Sequence, residues 1–207
     1  MPFELNDEEG EYLVRLARNA VAEYLKTGKC LPTPKNAPEK LRQPCGVFVT
    51  INKIERGKES LRGCIGYPYP TDPLVTAVVQ SSISAATQDP RFHPIVKKEL
   101  DQVVFEVSVL TPPQEIEVKN QKDCTKIEIG KDGLIIEQGI FKGLLLPQVA
   151  VEWNWNQEEF LCECCVKAGL PADNWLLKGT KIYKFQAIIF EERTPNGQVK
   201  RKNLSAK

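Results

Sequence analysis

Apolar and polar positions along the chain alternate with two different periods, and each predicts an element. Leu13, Leu16, Ala17, Ala20, Val21 and Tyr24 recur at helical spacing, with Asn6 and Glu9 placed ahead of them as a capping box and Gly28 as a stop. The spacing predicts an amphipathic helix over about 7–27. The segment 30–46 carries Pro32, Pro34, Pro38 and Pro44 and reads as a loop. Val47-Phe48-Val49-Thr50-Ile51 then predicts a strand near 46–54, and a polar turn over 55–59 leads to a second strand through Leu61-Arg62-Gly63-Cys64-Ile65-Gly66-Tyr67. In that strand Leu61, Gly63 and Ile65 fall on one face, and Arg62, Cys64 and Gly66 on the other. Asp72 as cap and Pro73 at the first helical position predict a helix to about Thr87, apolar almost all round and so buried. Pro90 and Pro94 end it. Val103 to Leu110 reads as a strand with Glu106 in its middle, an unusual place for a carboxylate.

From Thr111 the chain turns more polar, and Pro112-Pro113 marks a hinge or lobe boundary. Short strands are expected near 115–118 and 126–129. Leu134–Gln138 and the run from Ile140 to Leu146 read as a second hairpin. Pro147 opens a short helix containing Gln148 and Glu152. Asn156 and Glu159 cap another helix, which stops at Gly169. A last strand runs from Ile182 to Phe190, and the polar tail 192–207 is expected to fray. Strands joined mainly by hairpins, with helices between them, give an α+β fold with a mainly antiparallel sheet and flanking helices.

Composition narrows the function classes. A net charge of +1 over 207 residues argues against general attraction to nucleic acid or to an anionic membrane. No apolar run approaches the roughly 18 residues of a membrane helix. The acidic N-terminus lacks a signal-peptide pattern, and seven scattered cysteines do not form a secreted disulfide framework, so a cytoplasmic protein is expected.

Cys64 is the first candidate for chemistry. Arg62 on the same face favours a thiolate, and Gly63 and Gly66 leave room for a ligand, although a free cysteine is also a common packing residue. Asp89, Arg91 and His93 sit in a loop after a buried helix, where functional groups are often presented. Arg91 there pairs with Asp89 or with Glu106. Glu106 needs a cation, which Arg62 or Arg91 would supply, and the pair is architectural or catalytic. Gln148 and Glu152 share a helix face. Cys162-Glu163-Cys164-Cys165 invites a metal reading, but there is no second ligand pair, and Cys164 and Cys165 lie on an apolar stripe; no metal and no cofactor are expected. Trp153, Trp155 and Trp175 read as packing anchors before a recognition surface.

Several motifs in order carry a family resemblance. Leu61-Arg62-Gly63-Cys64-Ile65-Gly66, Asp89-Pro90-Arg91-Phe92, Glu106-Val107-Ser108-Val109-Leu110, Gly133-Leu134-Ile135-Ile136 and Leu145-Leu146-Pro147-Gln148-Val149-Ala150 span most of the chain. Together they resemble the AMME chromosomal region protein (AMMECR-type) family in its short archaeal and bacterial form. The resemblance implies one domain with two lobes and a cleft between them: a larger lobe of roughly 1–110 plus 147–191, and a smaller lobe of roughly 111–146. It assigns no activity, and it implies Memo-like and radical-SAM-type proteins as partners.

Two main readings follow. The first is an enzyme or substrate-handling component for a small anionic or peptide-like ligand, with Cys64 and Glu106 catalytic and Arg62, Gly66, Asp89, Arg91 and Gln148 binding. The second is a non-catalytic adaptor using the same cleft. Nucleic-acid binding is a third class, which the neutral charge does not favour.

Overall fold

The capping box opens the first helix as its spacing predicts: the Glu9 amide donates to Asn6 Oδ1, and the Asn6 amide to Glu9 Oε2, each at 2.8 Å. In this computed structural model, which describes residues 4–118 and 120–203, α1 runs over Asp7–Thr27 and stops at Gly28 in the left-handed region. Its stripe of Leu13, Leu16, Ala17, Ala20 and Val21 is buried. β1 (Gly46–Glu55) and β2 (Lys58–Tyr67) form the expected antiparallel hairpin, turning through Arg56 and Gly57 at positive φ. β3 (Val103–Leu110) pairs with the other edge of β1.

α2 (Leu74–Thr87) packs with α1 on one face of this sheet. The core there is built from Val47, Val49 and Ile51 of β1 and Val103, Phe105, Val107 and Val109 of β3. Burial of this many aliphatic side chains, each contributing about 1.5–3 kcal/mol, holds the layer together. Asp72 is not the cap of α2. Pro73 is extended (φ −51°, ψ 135°), so the helix begins at Leu74, whose amide donates to the Gln43 carbonyl at 3.0 Å. Asp72 instead accepts from the Thr71 hydroxyl.

The chain then builds a second unit, residues 111–187, before returning to the first over 188–202. The second unit contains β4 (Gln114–Ile116), β5 (Asp132–Gln138), β6 (Phe141–Leu145), α3 (Pro147–Glu152), α4 (Gln157–Lys167) and the first part of β7 (Lys181–Glu192). β5 pairs with β6 and β7, and β4 with β7, all antiparallel. Phe160, Leu161, Cys164 and Cys165 of α4 pack on Leu134 and Ile136 of β5. Residues 147–187, expected in the larger lobe, therefore cluster with the second unit, because α4 finds its apolar partner in the β5–β6 hairpin. No strand forms at 126–129. Asn120 caps a 3-10 turn over Gln121–Lys126, the Ile127 amide donates to the Cys124 carbonyl, and the Glu128 amide donates to the Asp132 carboxylate.

The tail also differs from expectation. β8 (Val199–Lys202) pairs antiparallel with the last residues of β7, within the first unit. Ion pairs hold it, and a polar composition does not preclude a strand whose partners lie far back in sequence. The remainder of that expectation, 204–207, lies outside the described residues. No described helix is long and apolar enough to cross a membrane.

Candidate functional site

The β1–β2 register aligns Thr50 with Cys64, and the β1–β3 register aligns Thr50 with Glu106. The three residues thus form one row on the sheet face opposite α1 and α2. The Thr50 hydroxyl donates to Cys64 Sγ at 3.3 Å. Burial pushes the Cys64 thiol above its ordinary range; the Thr50 hydroxyl and the Arg91 charge pull it down, while Glu106 and Asp89 add to the rise. The expectation that Arg62 is the cation acting on Cys64 is corrected. The net direction is upward, and the cation that acts on Cys64 is Arg91.

Arg62 turns away from Cys64. Its Nε and Nη2 donate to the two Glu99 carboxylate oxygens at 3.0 and 3.2 Å, and Nη1 donates to the His93 carbonyl at 2.8 Å. Glu99, on a 3-10 turn over Lys97–Gln102, also accepts from the Val96 amide. Arg62 is a tie between β2 and the chain that follows α2.

Gly63 and Gly66 serve packing, not ligand access. A Cβ on Gly63 would meet the Ala85 carbonyl of α2 at 2.1 Å, and one on Gly66 would meet the Val47 carbonyl at 2.3 Å. Backbone fills the space that the missing side chains leave.

The 89–93 loop is fastened to β2 through backbone groups of Cys64. The Cys64 amide donates to Asp89 Oδ2 at 2.8 Å. Arg91 grips the same carboxylate twice, Nε to Oδ1 at 2.9 Å and Nη2 to Oδ2 at 2.7 Å, and its own amide also donates to Oδ1. Hydrogen bonding from Arg91 is the main reason that the Asp89 carboxyl is held down at about 2. Asp89 is buried, yet the Arg91 side chain is 54% exposed. The guanidinium groups of Arg62 and Arg91 lie 5.9 and 5.5 Å from the centre of the Phe92 ring. Arg62, Pro90, Arg91, Phe92 and His93 line an open depression of about 540 Å³.

Glu106 is 5% exposed, and its cation is neither of the two arginines. Lys202 Nζ of β8 donates to Glu106 Oε2 at 2.7 Å and also reaches Glu191 Oε2 at 3.0 Å. Burial by itself would depress the Lys202 ammonium, and attraction to Glu106 and Glu191 outweighs it, so its pKa is raised. Thr50, Glu99 and Lys202 were not among the sequence candidates. Thr50, a polar residue inside an apolar strand, carried a local signal; Glu99 and Lys202 carried none.

Gln148 is buried on α3, in the second unit, and Glu152 is exposed. Cys164 and Cys165 are core thiols that burial raises to about 12 and about 11, while Cys162 is only half-buried. Among the described residues no group of three His, Cys, Asp or Glu side chains is arranged to hold a metal ion. Trp153 and Trp155 stack at 6.0 Å, and Trp175 is buried in the core of the second unit.

Comparison with known sequences covers nearly all of this geometry. The sequence model of the AMMECR1 family matches residues 14–190. Protein PH0010 of Pyrococcus horikoshii is 55% identical over 205 residues, covering 99% of this chain and 100% of its own length. A Methanothermobacter thermautotrophicus protein is 52% identical over 189 residues, covering 91% of this chain and 96% of its own. The crystal structure of PH0010, described as uncharacterized, matches with a TM-score of 0.91 at 55% identity, over 97% of this chain and 99% of that one.

Proposed function

We infer that this chain, which belongs to the AMMECR1 family, handles a small anionic or peptide-like ligand on the surface formed by β2 and the 89–93 loop. One observation carries this reading: Arg91 is locked in place by a buried carboxylate while its side chain stays 54% exposed on the rim of the depression. Nε and Nη2 are occupied by Asp89, which leaves Nη1 as the outward donor. A fixed guanidinium has little conformational freedom to lose on binding a carboxylate, phosphate or carbonyl oxygen. Phe92 supplies an apolar floor, and His93 a second polar group.

The raised Cys64 thiol favours the substrate-handling form of this reading over nucleophilic attack by a resting thiolate. Cys64 contributes mainly through its amide, which fixes Asp89 and hence Arg91. A ligand held in this way would be passed to a separate catalyst, a place that the expected Memo-like or radical-SAM-type proteins would fill.

The test is a titration of the protein with inorganic phosphate and with triglycine, followed by NMR at Arg91 Nε–H and the His93 ring. Arg91→Gln is expected to weaken binding of whichever probe binds by roughly tenfold, the size of a charge-assisted hydrogen bond. Arg91→Lys, which keeps the charge and loses the fork, should fall in between, and Cys64→Ala should bind like the parent. Loss of binding in Cys64→Ala with Arg91→Gln unaffected would reverse the assignment. A silent Arg91 with both probes would remove it.

A further inference from the structure

β2 is an outer strand of the sheet: β1 pairs with one side of it, and among the described residues no strand pairs with the other. In an antiparallel pair, successive residues turn their N–H and C=O alternately toward the partner strand and away from it. The Cys64 amide goes to Asp89 Oδ2, and Arg91 Nη2 approaches the Cys64 carbonyl at 3.5 Å, so Cys64 faces away from β1. Asp89 and Arg91 thus stand where a further strand would put its carbonyl and its amide. The register continues unbroken from Thr50 opposite Cys64 to Phe48 opposite Gly66, so Gly66 also turns both of its groups outward. Neither group meets a partner among the described residues. Gly66 is half-buried, and a glycine has only backbone to expose. The next position in the alternation is Pro68, which has no N–H.

An unpaired strand edge is a template for another extended chain. Here the template is one residue long, and the Arg91 guanidinium bounds it at one end. An antiparallel chain that accepts from the Gly66 amide and donates to the Gly66 carbonyl runs from N to C toward Arg91. To continue past that point it would need the Cys64 groups that Asp89 and Arg91 hold. It therefore ends there, with its terminal carboxylate beside the outward Arg91 Nη1. A parallel chain would bring an ammonium to the guanidinium instead. The residue opposite Gly66 would place its side chain on the face where the half-buried Phe48 ring leans over the glycine; a Cβ on Gly66 would lie 2.4 Å from Phe48 Cγ.

We propose that β2 binds the C-terminal end of an extended peptide chain by strand addition. The penultimate residue, an apolar one, pairs with Gly66, and the terminal carboxylate accepts from Arg91 Nη1. The proposal rests on the Arg91 surface assigned above and narrows its ligand to a free peptide C-terminus.

N-acetyl-Ala-Ala-Phe-Ala is the probe, followed by ¹⁵N NMR of the whole protein. It should shift the Gly66 amide and Arg91 Nε–H saturably, and move little the Ile65 amide, which is turned to β1. Amidation of the peptide's C-terminus should weaken binding about tenfold, the size of a charge-assisted hydrogen bond. N-methylation of its Phe removes the donor to the Gly66 carbonyl and should cost about as much. N-methylation of the preceding Ala, whose N–H points away from β2, should leave binding unchanged. In Arg91→Gln the acid and the amide should bind alike. The peptide changes leave the protein untouched, so they report even if Arg91→Gln does not fold. A shift at Arg91 Nε–H without one at Gly66 overturns strand addition and leaves the Arg91 surface standing. A probe that moves neither also overturns the proposal, and the Arg91 surface falls with it only if phosphate and triglycine are silent too. Equal binding of acid and amide by the parent, or equal losses from the two N-methylations, overturns it as well.

Discussion

Asp89 joins β2 to the loop that follows α2: one buried carboxylate accepts from the Cys64 amide, the Arg91 amide and the Arg91 guanidinium. Its folded pKa of about 2 lies below that of a free aspartate. For a carboxyl depressed on folding, the stabilisation is complete above the unfolded pKa near 3.9 and is lost as pH falls through the folded value. Because Arg91 is largely exposed, solvent screens the pair, and the contribution is on the order of 1–2 kcal/mol. Asp89→Asn should therefore be less stable by that amount at pH 7, and the deficit should shrink as pH falls from about 4 toward 2. Urea denaturation of both proteins across that range measures it; a constant deficit would mean that the charge of Asp89 is not what stabilises the loop. The sequence showed this pair as one of two options for Arg91, because Asp89 and Arg91 are two residues apart. It gave no indication that Arg62, on the same strand face as Cys64, would turn to Glu99, since nothing in a 3-10 turn over 97–102 marks one acidic residue as the partner.

At the level of elements, β2 and α2 approach through Gly63. A methyl group there would sit 2.1 Å from the Ala85 carbonyl, and backbone cannot rotate away as a side chain can. Gly63→Ala should therefore separate the hairpin from α2 at a cost of roughly 1–3 kcal/mol, as overpacking does elsewhere. The paired control is Ser60→Ala, on the exposed part of the same strand, which should be nearly neutral. Chemical denaturation decides it: equal midpoints for the two variants would show that β2 and α2 can part without cost. The glycine pattern was visible from the chain alone, but its cause was not. A glycine in a strand marks a close approach, and only the packed helix shows whether the visitor is a ligand or the protein's own backbone. Helix and hairpin boundaries were more legible, because Asn6, Gly28, Asn156 and the turn at 55–59 act locally. The 126–129 segment misled because Ile127 and Ile129 alternate as in a strand, while the Ile127 amide goes to the Cys124 carbonyl and the Glu128 amide to the Asp132 carboxylate.

For the whole chain, the decisive long-range feature is that the first unit is closed by residues 5–18 meeting residues 192–202. The Arg201 guanidinium donates to the Leu5 carbonyl, Arg15 donates to the Gly197 carbonyl, and the buried Glu192 carboxylate accepts from Arg18 and from the Phe105 amide. Lys202 completes this closure by meeting Glu106 in the middle of β3. A sequence separation of 96 residues explains why a polar tail expected to fray proved to hold the counter-ion of Glu106. Losing one partner of a buried ion pair typically costs 3–5 kcal/mol, whereas replacing both is far milder. Lys202 is 28% exposed at its side chain, so the lower end applies, about 3 kcal/mol for Lys202→Met. Glu191 loses the same ammonium but keeps Arg193 at 2.8 Å. Adding Glu106→Gln to Lys202→Met should then recover more than half of the deficit, because the charge that needs a partner is gone. A double-mutant cycle in urea measures the coupling. If Lys202→Met unfolds at the parent's midpoint, β8 is only resting on β7; if the deficit appears but Glu106→Gln does not relieve it, the strand pairing, not the ion pair, is what the C-terminal residues contribute.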